Sequence, residues 1–302
     1  MEKTKVFLNK LKLPEADAYD LATSGKRFPD GGQYRIEIPS TEGPKALEAV
    51  ITAAKELGVP IHRISQGSGI MLQTDDEIHR MVALGRQYGI EICLFVGPRA
   101  NWDIGSQATS SAGKVIGTSL RGVDQLRFGI EDIRHACELG VRSVLIGDLG
   151  QLMVVGKMKT AGDLPADLII KISVTLAAPT PATARVLEDL GATTINLPMD
   201  LTLPQISAVR QAIDVPIDFY IEGPDDFGGP VRYYEIPELV RVASPIYLKF
   251  GVRNSPGLYP SGQHIEPLVV SLSRERVRRS AIGLGILRRY SPEAKASPAR
   301  NV

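Results

Sequence analysis

The strongest constraint on the fold is a repeated unit in which a helix ends at a glycine and a short apolar strand follows. Glycine is the usual residue just after a helix end, and the repeat shows it at Leu57-Gly58, Tyr88-Gly89, Leu139-Gly140 and Leu190-Gly191. Strands are predicted to begin near residues 34, 61, 91, 143, 168, 193, 216 and 245. Eight short strands that alternate with helices predict an α/β protein with a (β/α)8 TIM barrel.

Capping patterns place several helix starts in this repeat. Thr74 and Glu77 form a predicted capping box, and Thr202 and Gln205 repeat the pattern near the end of the barrel. A doubly wound sheet is the main alternative. It is disfavoured because no glycine-rich dinucleotide-binding fingerprint opens the first helix.

The chain of 302 residues has room for one barrel, which takes about 250 residues. We therefore predict a single domain over 1–302. Within it, 1–32 is an N-terminal arm with one short helix near 14–22, 33–290 is the barrel, and 291–302 is a flexible tail. The long interval at 97–123 is predicted to lie as a loop over the active-site face.

Bulk composition excludes several classes of partner. The net charge of +1 gives no field that attracts nucleic acid, and no apolar run approaches the roughly 20 residues of a membrane span. The N-terminus lacks the apolar core of a signal peptide, so a cytoplasmic location is expected. The predicted partner is a small-molecule substrate. A homo-oligomer stays open, since the arginine-rich helix face at 274–279 fits either solvent or a subunit contact.

Strand parity predicts four charged side chains inside the barrel. Residues facing the axis alternate with residues facing the helices, which places Glu37, Lys171, Glu222 and Lys249 on the axis. Buried charges are costly unless paired, so one interpretation is a purely structural ion-pair network. The other is catalytic, with Glu222 or Glu37 as general acid/base and the two lysines as charge stabilisers.

Polar residues at strand ends and in the following loops are candidate substrate-binding residues, because barrel enzymes build their sites there. An arginine, Arg99 or Arg253, is expected to anchor an anionic group. No organic cofactor is predicted. Asp225 and Asp226 are compatible with a divalent cation, and equally with ordinary turn chemistry. The binding candidates are His62, Gln66, Arg99, Asp148, Asn196, Tyr220, Arg253 and His264.

Five short segments carry a resemblance to a known family: Arg35-Ile-Glu37, Gly67-Ser-Gly69, Val96-Gly-Pro-Arg99, Ile221-Glu-Gly-Pro224 and Tyr247-Leu-Lys-Phe-Gly251. They resemble the peptidase U32-like proteins, a family of TIM barrels. The resemblance implies a hydrolase. Some members of that family hold an iron–sulfur cluster through four cysteines, and this chain has only Cys93 and Cys137, so no catalytic residue is carried over from the family.

Together these features predict a TIM-barrel enzyme that acts on a small polar or anionic substrate by carboxylate and lysine acid–base chemistry. A U32-like hydrolase is the leading interpretation. The first alternative is a lyase, aldolase or epimerase in which Lys171 or Lys249 forms a Schiff base or moves a proton. The second is a non-catalytic ligand-binding or assembly barrel that keeps its charges only for structure.

Overall fold

A closed barrel of eight parallel strands organises the molecule. The computed structural model describes residues 2–97, 117–225 and 228–299. Each strand pairs with the next in sequence, and the last pairs with the first. This confirms the predicted (β/α)8 barrel. The strands are β1 (Tyr34–Pro39), β2 (Arg63–Ser65), β3 (Glu91–Phe95), β4 (Ser143–Ile146), β5 (Ile169–Ile172), β6 (Thr194–Asn196), β7 (Ile217–Glu222) and β8 (Ile246–Phe250).

Helices cover the outside of the barrel, and their ends follow the local signals in the sequence. Both bonds of the predicted capping box form at Thr74 and Glu77, and the box at Thr202 and Gln205 also forms. The described helices are α1 (Glu2–Lys10), α2 (Pro44–Leu57), α3 (Asp75–Tyr88), α4 (Gly122–Glu138), α5 (Leu149–Ala161), α6 (Pro181–Asp189), α7 (Leu203–Ala212), α8 (Ile236–Ala243) and α9 (Glu266–Tyr290). No helix among these is long and apolar enough to cross a membrane.

The hydrophobic core lies between the strands and the helices. Strand residues of the outward parity, such as Ile36, Ile170 and Leu248, are fully buried there against apolar helix residues such as Val50 and Leu284. Burial of such side chains contributes about 1.5–3 kcal/mol each. The hydrophobic core therefore stabilises the barrel from outside, and the inward-facing residues of the strands fill its interior.

The N-terminal arm differs from the prediction. Its helix is α1, and the stretch 14–22 is not helical. The reason is tertiary, because backbone groups that a helix would pair internally bond to the barrel's helices instead: Ala18 N–H donates to Pro204 at 3.1 Å, and Ser24 N–H donates to Arg241 at 2.9 Å.

The end of the chain closes the N-terminal side of the barrel. Ala296 pairs with Tyr34 at the start of β1, and Ser297 is buried. The Ser297 hydroxyl accepts from Arg35 Nε and donates to Asp30, both at 2.9 Å. As far as residue 299, the tail predicted to be flexible therefore lies against the barrel and makes specific contacts with it. The tail supplies polar partners that the strand ends would otherwise lack.

Ser297→Ala is expected to lower the free energy of unfolding by about 0.5–1.5 kcal/mol, because it removes the hydrogen bonds of the Ser297 hydroxyl to the partly buried Arg35 guanidinium and to the Asp30 carboxylate. Urea denaturation would measure the change. Glu293→Ala, an exposed change in the same tail, is the matched control and should be neutral. Equal stability of the two variants would show that the tail does not hold this end of the barrel.

Candidate active site

Six charged side chains meet inside the barrel. Glu37 is at the centre, since its Oε1 accepts a short hydrogen bond from Lys171 Nζ and another from Ser65 Oγ at 2.7 Å. Lys249 Nζ lies 3.5 Å from the same oxygen. Three carboxylates and three cations make up this network, so its formal charge is balanced. Its members are Glu37, Arg63, Glu91, Lys171, Asp218 and Lys249.

Arg63 joins all three carboxylates. Its Nε donates to Glu91 at 2.7 Å, and its Nη1 lies 2.9 Å from Asp218 and 3.2 Å from Glu37. The guanidinium carbon also lies 3.6 Å from the ring centroid of Tyr247, a cation–π contact. Since Arg63 is about 1% exposed, these partners replace the water that the charge has lost.

Glu37 and Arg63 keep their charges at ordinary pH. Burial alone would raise the pKa of Glu37, but the ammonium groups of Lys171 and Lys249 and the Arg63 guanidinium hold that pKa below its usual range. For Arg63, burial opposes the charge, and Glu91, Tyr247, Asp218 and Glu37 together raise its pKa. These two side chains therefore act as fixed charges rather than as a store of exchangeable protons.

A pocket opens directly above this network, at the C-terminal ends of the strands. It encloses about 480 Å³, part of which is open to solvent. Lys249 is the one charged side chain among the described residues that line it. The lining consists of Pro39, Ser40, Ser65, Gln66, Gly67, Phe95, Thr118, Leu145, Ser173, Val174, Thr175, Asn196, Tyr220, Lys249 and Tyr259.

The ammonium of Lys249 is held at the floor of the pocket. In the amide orientation that satisfies both ends of Asn196, its Oδ1 accepts from Lys249 Nζ at 2.7 Å and its Nδ2 donates to the Asp218 carbonyl at 3.2 Å. The ammonium also lies 4.0 Å from the ring centroid of Tyr220. Lys249 thus links the buried network to the open pocket, whereas Lys171 is enclosed within the network.

Two tyrosines complete the polar wall of the pocket. Burial raises the pKa of Tyr220, and the charge of Glu37 raises it further. Burial likewise raises the pKa of Tyr259, whose hydroxyl shares a short hydrogen bond with Ser40 Oγ. Both hydroxyls therefore remain protonated and are suited to donate hydrogen bonds.

The structure brings together five of the predicted site residues. Glu37, Lys171 and Lys249 lie in the network, and Asn196 and Tyr220 line the pocket beside Lys249. A sixth, Gln66, also lines the pocket, but its amide is occupied. It accepts from the N–H groups of Gly69 and Phe95 and donates to the Gly69 carbonyl.

Glu222 does not join the network. The pairing of β7 with β8 shifts register between Tyr220 and Glu222. The alternation of inward-facing and outward-facing side chains, which the prediction extended to the end of β7, therefore stops before Glu222. The Glu222 carboxylate instead accepts from Tyr233 at 2.6 Å and from Arg253 N–H at 2.8 Å. It also lies 3.4 Å from Arg279 on α9. The expectation that Glu222 faces the axis is wrong.

Four further predicted residues lie away from the pocket lining. His62 bonds to Ile36 and Ser297 at the closed end of the barrel, and Asp148 caps α5 by accepting from Gln151 N–H at 2.8 Å. The remaining two, Arg253 and His264, lie between β8 and α9, and His264 is exposed.

The predicted cation site is only partly described. Asp225 is already engaged, with one oxygen 3.0 Å from Arg253 Nε and the other accepting from Asn254 N–H. Asp226 and Arg99 lie outside the described residues. Within the ranges that are described, no three His, Cys, Asp or Glu side chains are placed to hold a metal ion.

A cysteine-bound iron–sulfur cluster does not fit this chain. There are two cysteines, one inside the barrel and one on α4 against the core. Burial raises the pKa of Cys93 to about 12, which opposes the thiolate form that binds metal. Burial also raises the pKa of Cys137.

Sequence reasoning missed three members of the network: Arg63, Glu91 and Asp218 as an ion-pair partner. The signal for Arg63 was present, because Ile64 faces the helices and its neighbours must then face the axis. With only three residues in β2, that alternation was too short to decide the orientation without the structure.

Acid should destabilise the protein through His62. Its Nδ1 accepts from Ile36 N–H at 3.0 Å, and burial is the main reason that its pKa falls from 6.5 to about 4. The unfolded chain therefore binds a proton first as pH falls. Stability is complete above pH 6.5 and should drop by about 2 kcal/mol between pH 7.5 and 5.0. Urea midpoints at each pH would measure it.

The loss of unfolding free energy that His62 causes between pH 7.5 and 5.0 should be absent in His62→Gln. It should be unchanged in His79→Gln, since His79 is exposed on α3. Identical slopes in wild type and His62→Gln would contradict the assignment.

Glu37→Gln should lower the free energy of unfolding by about 3–5 kcal/mol, because three buried cations lose the anion they share. Glu266→Gln is the matched surface control. It breaks an exposed pair with Lys45 at 2.7 Å and should cost at most about 1 kcal/mol. Chemical denaturation compares the two, and a Glu37→Gln change as small as the control's would show that the network does not depend on Glu37.

Comparison with known proteins supports the fold and finds a family match over part of the chain. The family model of peptidase family U32 matches residues 122–224, about a third of the chain, from α4 to the turn after β7. No curated protein matches the chain significantly in sequence. The chain is also similar to the U32 peptidase Mk0906, with 16% identity over 76% of this chain and 97% of that one and a TM-score of 0.43.

Two aldolase structures share the barrel at low sequence identity. The YdjI aldolase from Escherichia coli K12 is 17% identical, with 87% of this chain and 94% of that chain covered and a TM-score of 0.51. A putative fructose-1,6-bisphosphate aldolase from Coccidioides immitis is 10% identical, with 87% and 92% covered and a TM-score of 0.53. These likenesses concern the fold. The family model of peptidase U32 covers residues 122–224 of this chain, and the fold of the described residues is a (β/α)8 TIM barrel.

Proposed function

We propose that this protein is an enzyme that binds an oxygen of a small carbonyl or carboxylate compound on the ammonium of Lys249. The ammonium stabilises the negative charge that develops on that oxygen during the reaction. The observation that carries this proposal is the position of Lys249, whose charge stands at the floor of the pocket among uncharged lining residues. A lyase or isomerase that passes through an enolate fits this arrangement.

The contacts of Lys249 favour a charge-stabilising role over a Schiff base. Its neighbours, Glu37 and Asn196 Oδ1, both accept from the protonated amine and so stabilise it. Glu37 is also a weak proton acceptor, since the surrounding cations keep its pKa low. A Schiff base would require the amine to lose its proton in these surroundings.

The other groups have supporting roles in this scheme. Tyr220 and Tyr259 stay protonated and can donate hydrogen bonds or a proton to the substrate. Lys171 does not reach the pocket lining, and its role is to fix Glu37, which in turn fixes Lys249.

Hydrolysis is the second candidate, and the match to the peptidase U32 family supports it. Lys249 would then stabilise the oxyanion of a tetrahedral intermediate. A hydrolase also needs a base to activate water. Among the described lining residues there is no carboxylate to serve as that base, and enolate formation needs a base for the carbon-bound proton in the same way, so this feature does not separate the two reactions. We place the enolate chemistry first because two aldolase structures share the barrel.

Isotope labelling separates the two reactions even when the natural substrate is unidentified. Ligands are first selected from a panel of small keto acids, hydroxy acids and amides by the rise in melting temperature that they cause. The selected compounds are then incubated with the protein in D2O or in ¹⁸O-labelled water. Enolate chemistry predicts deuterium at the carbon next to the carbonyl, seen by proton NMR. Hydrolysis predicts ¹⁸O in the product carboxylate, seen by mass spectrometry.

Lys249→Met should lower the rate of deuterium exchange at least 100-fold, because the charge that stabilises the enolate is lost. Lys249→Arg keeps a cation and should retain part of the rate, and Lys45→Met is the surface control. Exchange at the wild-type rate in Lys249→Met would refute the role given to this residue. A borohydride-reduced adduct on Lys249 would show a Schiff base instead of a charge-stabilising ammonium.

A further inference from the structure

A second pocket adjoins the first. It encloses about 910 Å³, part of it open to solvent, between the turns after β7 and β8 and the helix α9. Four residues line both pockets, namely Pro39, Ser40, Tyr220 and Tyr259. The two pockets are therefore neighbours at the end of β1.

Arg276 on α9 lines the second pocket and is only 3% exposed. Its Nη1 donates to the Ser40 carbonyl at 3.1 Å. Its Nε has no hydrogen-bond partner among the described residues. The side chain is therefore a buried guanidinium that is only partly satisfied by the protein.

Three neighbouring arginines on α9 form ion pairs with glutamates. Arg274 pairs with Glu56 at 2.7 Å, and Arg278 and Arg279 both pair with Glu275. No such ion pair forms at Arg276 among the residues that the structure describes. The three paired arginines are far more exposed than Arg276, so the arginine that most needs an anion is the one without an ion pair among the described residues.

The nearby carboxylates do not fill this gap. The charge of Glu42 acts on Arg276 at longer range, and Glu42 itself accepts from the N–H groups of Gly67 and Ser68 at 2.6 and 3.1 Å. On the rim of the pocket, Asp225 is engaged by Arg253.

We infer that Arg276 forms an anion subsite, and that the missing partner is a carboxylate or phosphate group of a bound ligand. The planar guanidinium suits both groups, since it can donate two parallel hydrogen bonds to either. Nε is free for this contact, whereas Nη1 is fixed by Ser40.

Ser40 couples the subsite to the first pocket. It adopts a left-handed backbone conformation with φ of 54°, which is unfavourable for a residue with a side chain. Its carbonyl accepts from Arg276, and its hydroxyl bonds to Tyr259. If the proposed role of Lys249 holds, the substrate has a carbonyl or carboxylate oxygen at Lys249 and a second anionic group at Arg276.

Anion binding at Arg276 is tested with two probes, inorganic phosphate and malonate, by isothermal titration calorimetry at constant ionic strength. Wild type should bind at least one of them saturably. Arg276→Gln should weaken that binding at least tenfold, and Arg274→Gln, a change on the same helix, should leave it unchanged. The probe that binds more tightly distinguishes a phosphate ligand from a carboxylate ligand.

Lys249→Met should retain binding of the preferred probe, so failure of the catalytic proposal and failure of this one are distinguishable. Unchanged affinity in Arg276→Gln, or the absence of saturable binding of both anions by wild type, would overturn the inference.

If Arg276→Gln does not fold, Arg276→Lys decides the question. The lysine keeps the charge without the planar fork, so weaker binding of the probe is expected. Wild-type affinity in Arg276→Lys would show that bidentate recognition at this position is wrong.

Discussion

The barrel depends on a balance of charge in its interior. Glu37, Glu91 and Asp218 lie among Arg63, Lys171 and Lys249, and each charge has at least one opposite partner within 4 Å. Interiors of such barrels are usually filled by branched apolar side chains. Here the apolar packing lies outside the strands, and the space inside is filled by ion pairs that tolerate few single changes, because removal of one member leaves another unpaired.

This arrangement gives the two lysines different environments although both contact the same oxygen of Glu37. Lys171 on β5 is enclosed by Glu37 and Asp218 and is not exposed. Lys249 on β8 has a weaker contact with Glu37 and borders the open pocket. The network thus holds the Lys249 ammonium in a fixed position at the border of the pocket, as the proposed charge-stabilising role requires.

Much of the fold could be predicted from the sequence because it rests on local rules. Alternation of apolar residues located the strands, and capping residues located the helix ends. The site was harder, because it depends on register. The shift between Tyr220 and Glu222 leaves no mark in the sequence of β7, and it moved Glu222 out of the predicted ring. Arg63 was missed because its strand is three residues long. Both depend on how strands pair across the barrel, which no single segment determines.

The closure of the barrel by its tail has a consequence for biosynthesis. Tyr34, Arg35 and His62 appear early in translation, yet their partners Ala296 and Ser297 are synthesised only after all eight strands. The N-terminal part of a chain generally begins to fold first, during synthesis. The first two strands must therefore wait, with this end of the barrel uncovered, until residues 296 and 297 have left the ribosome.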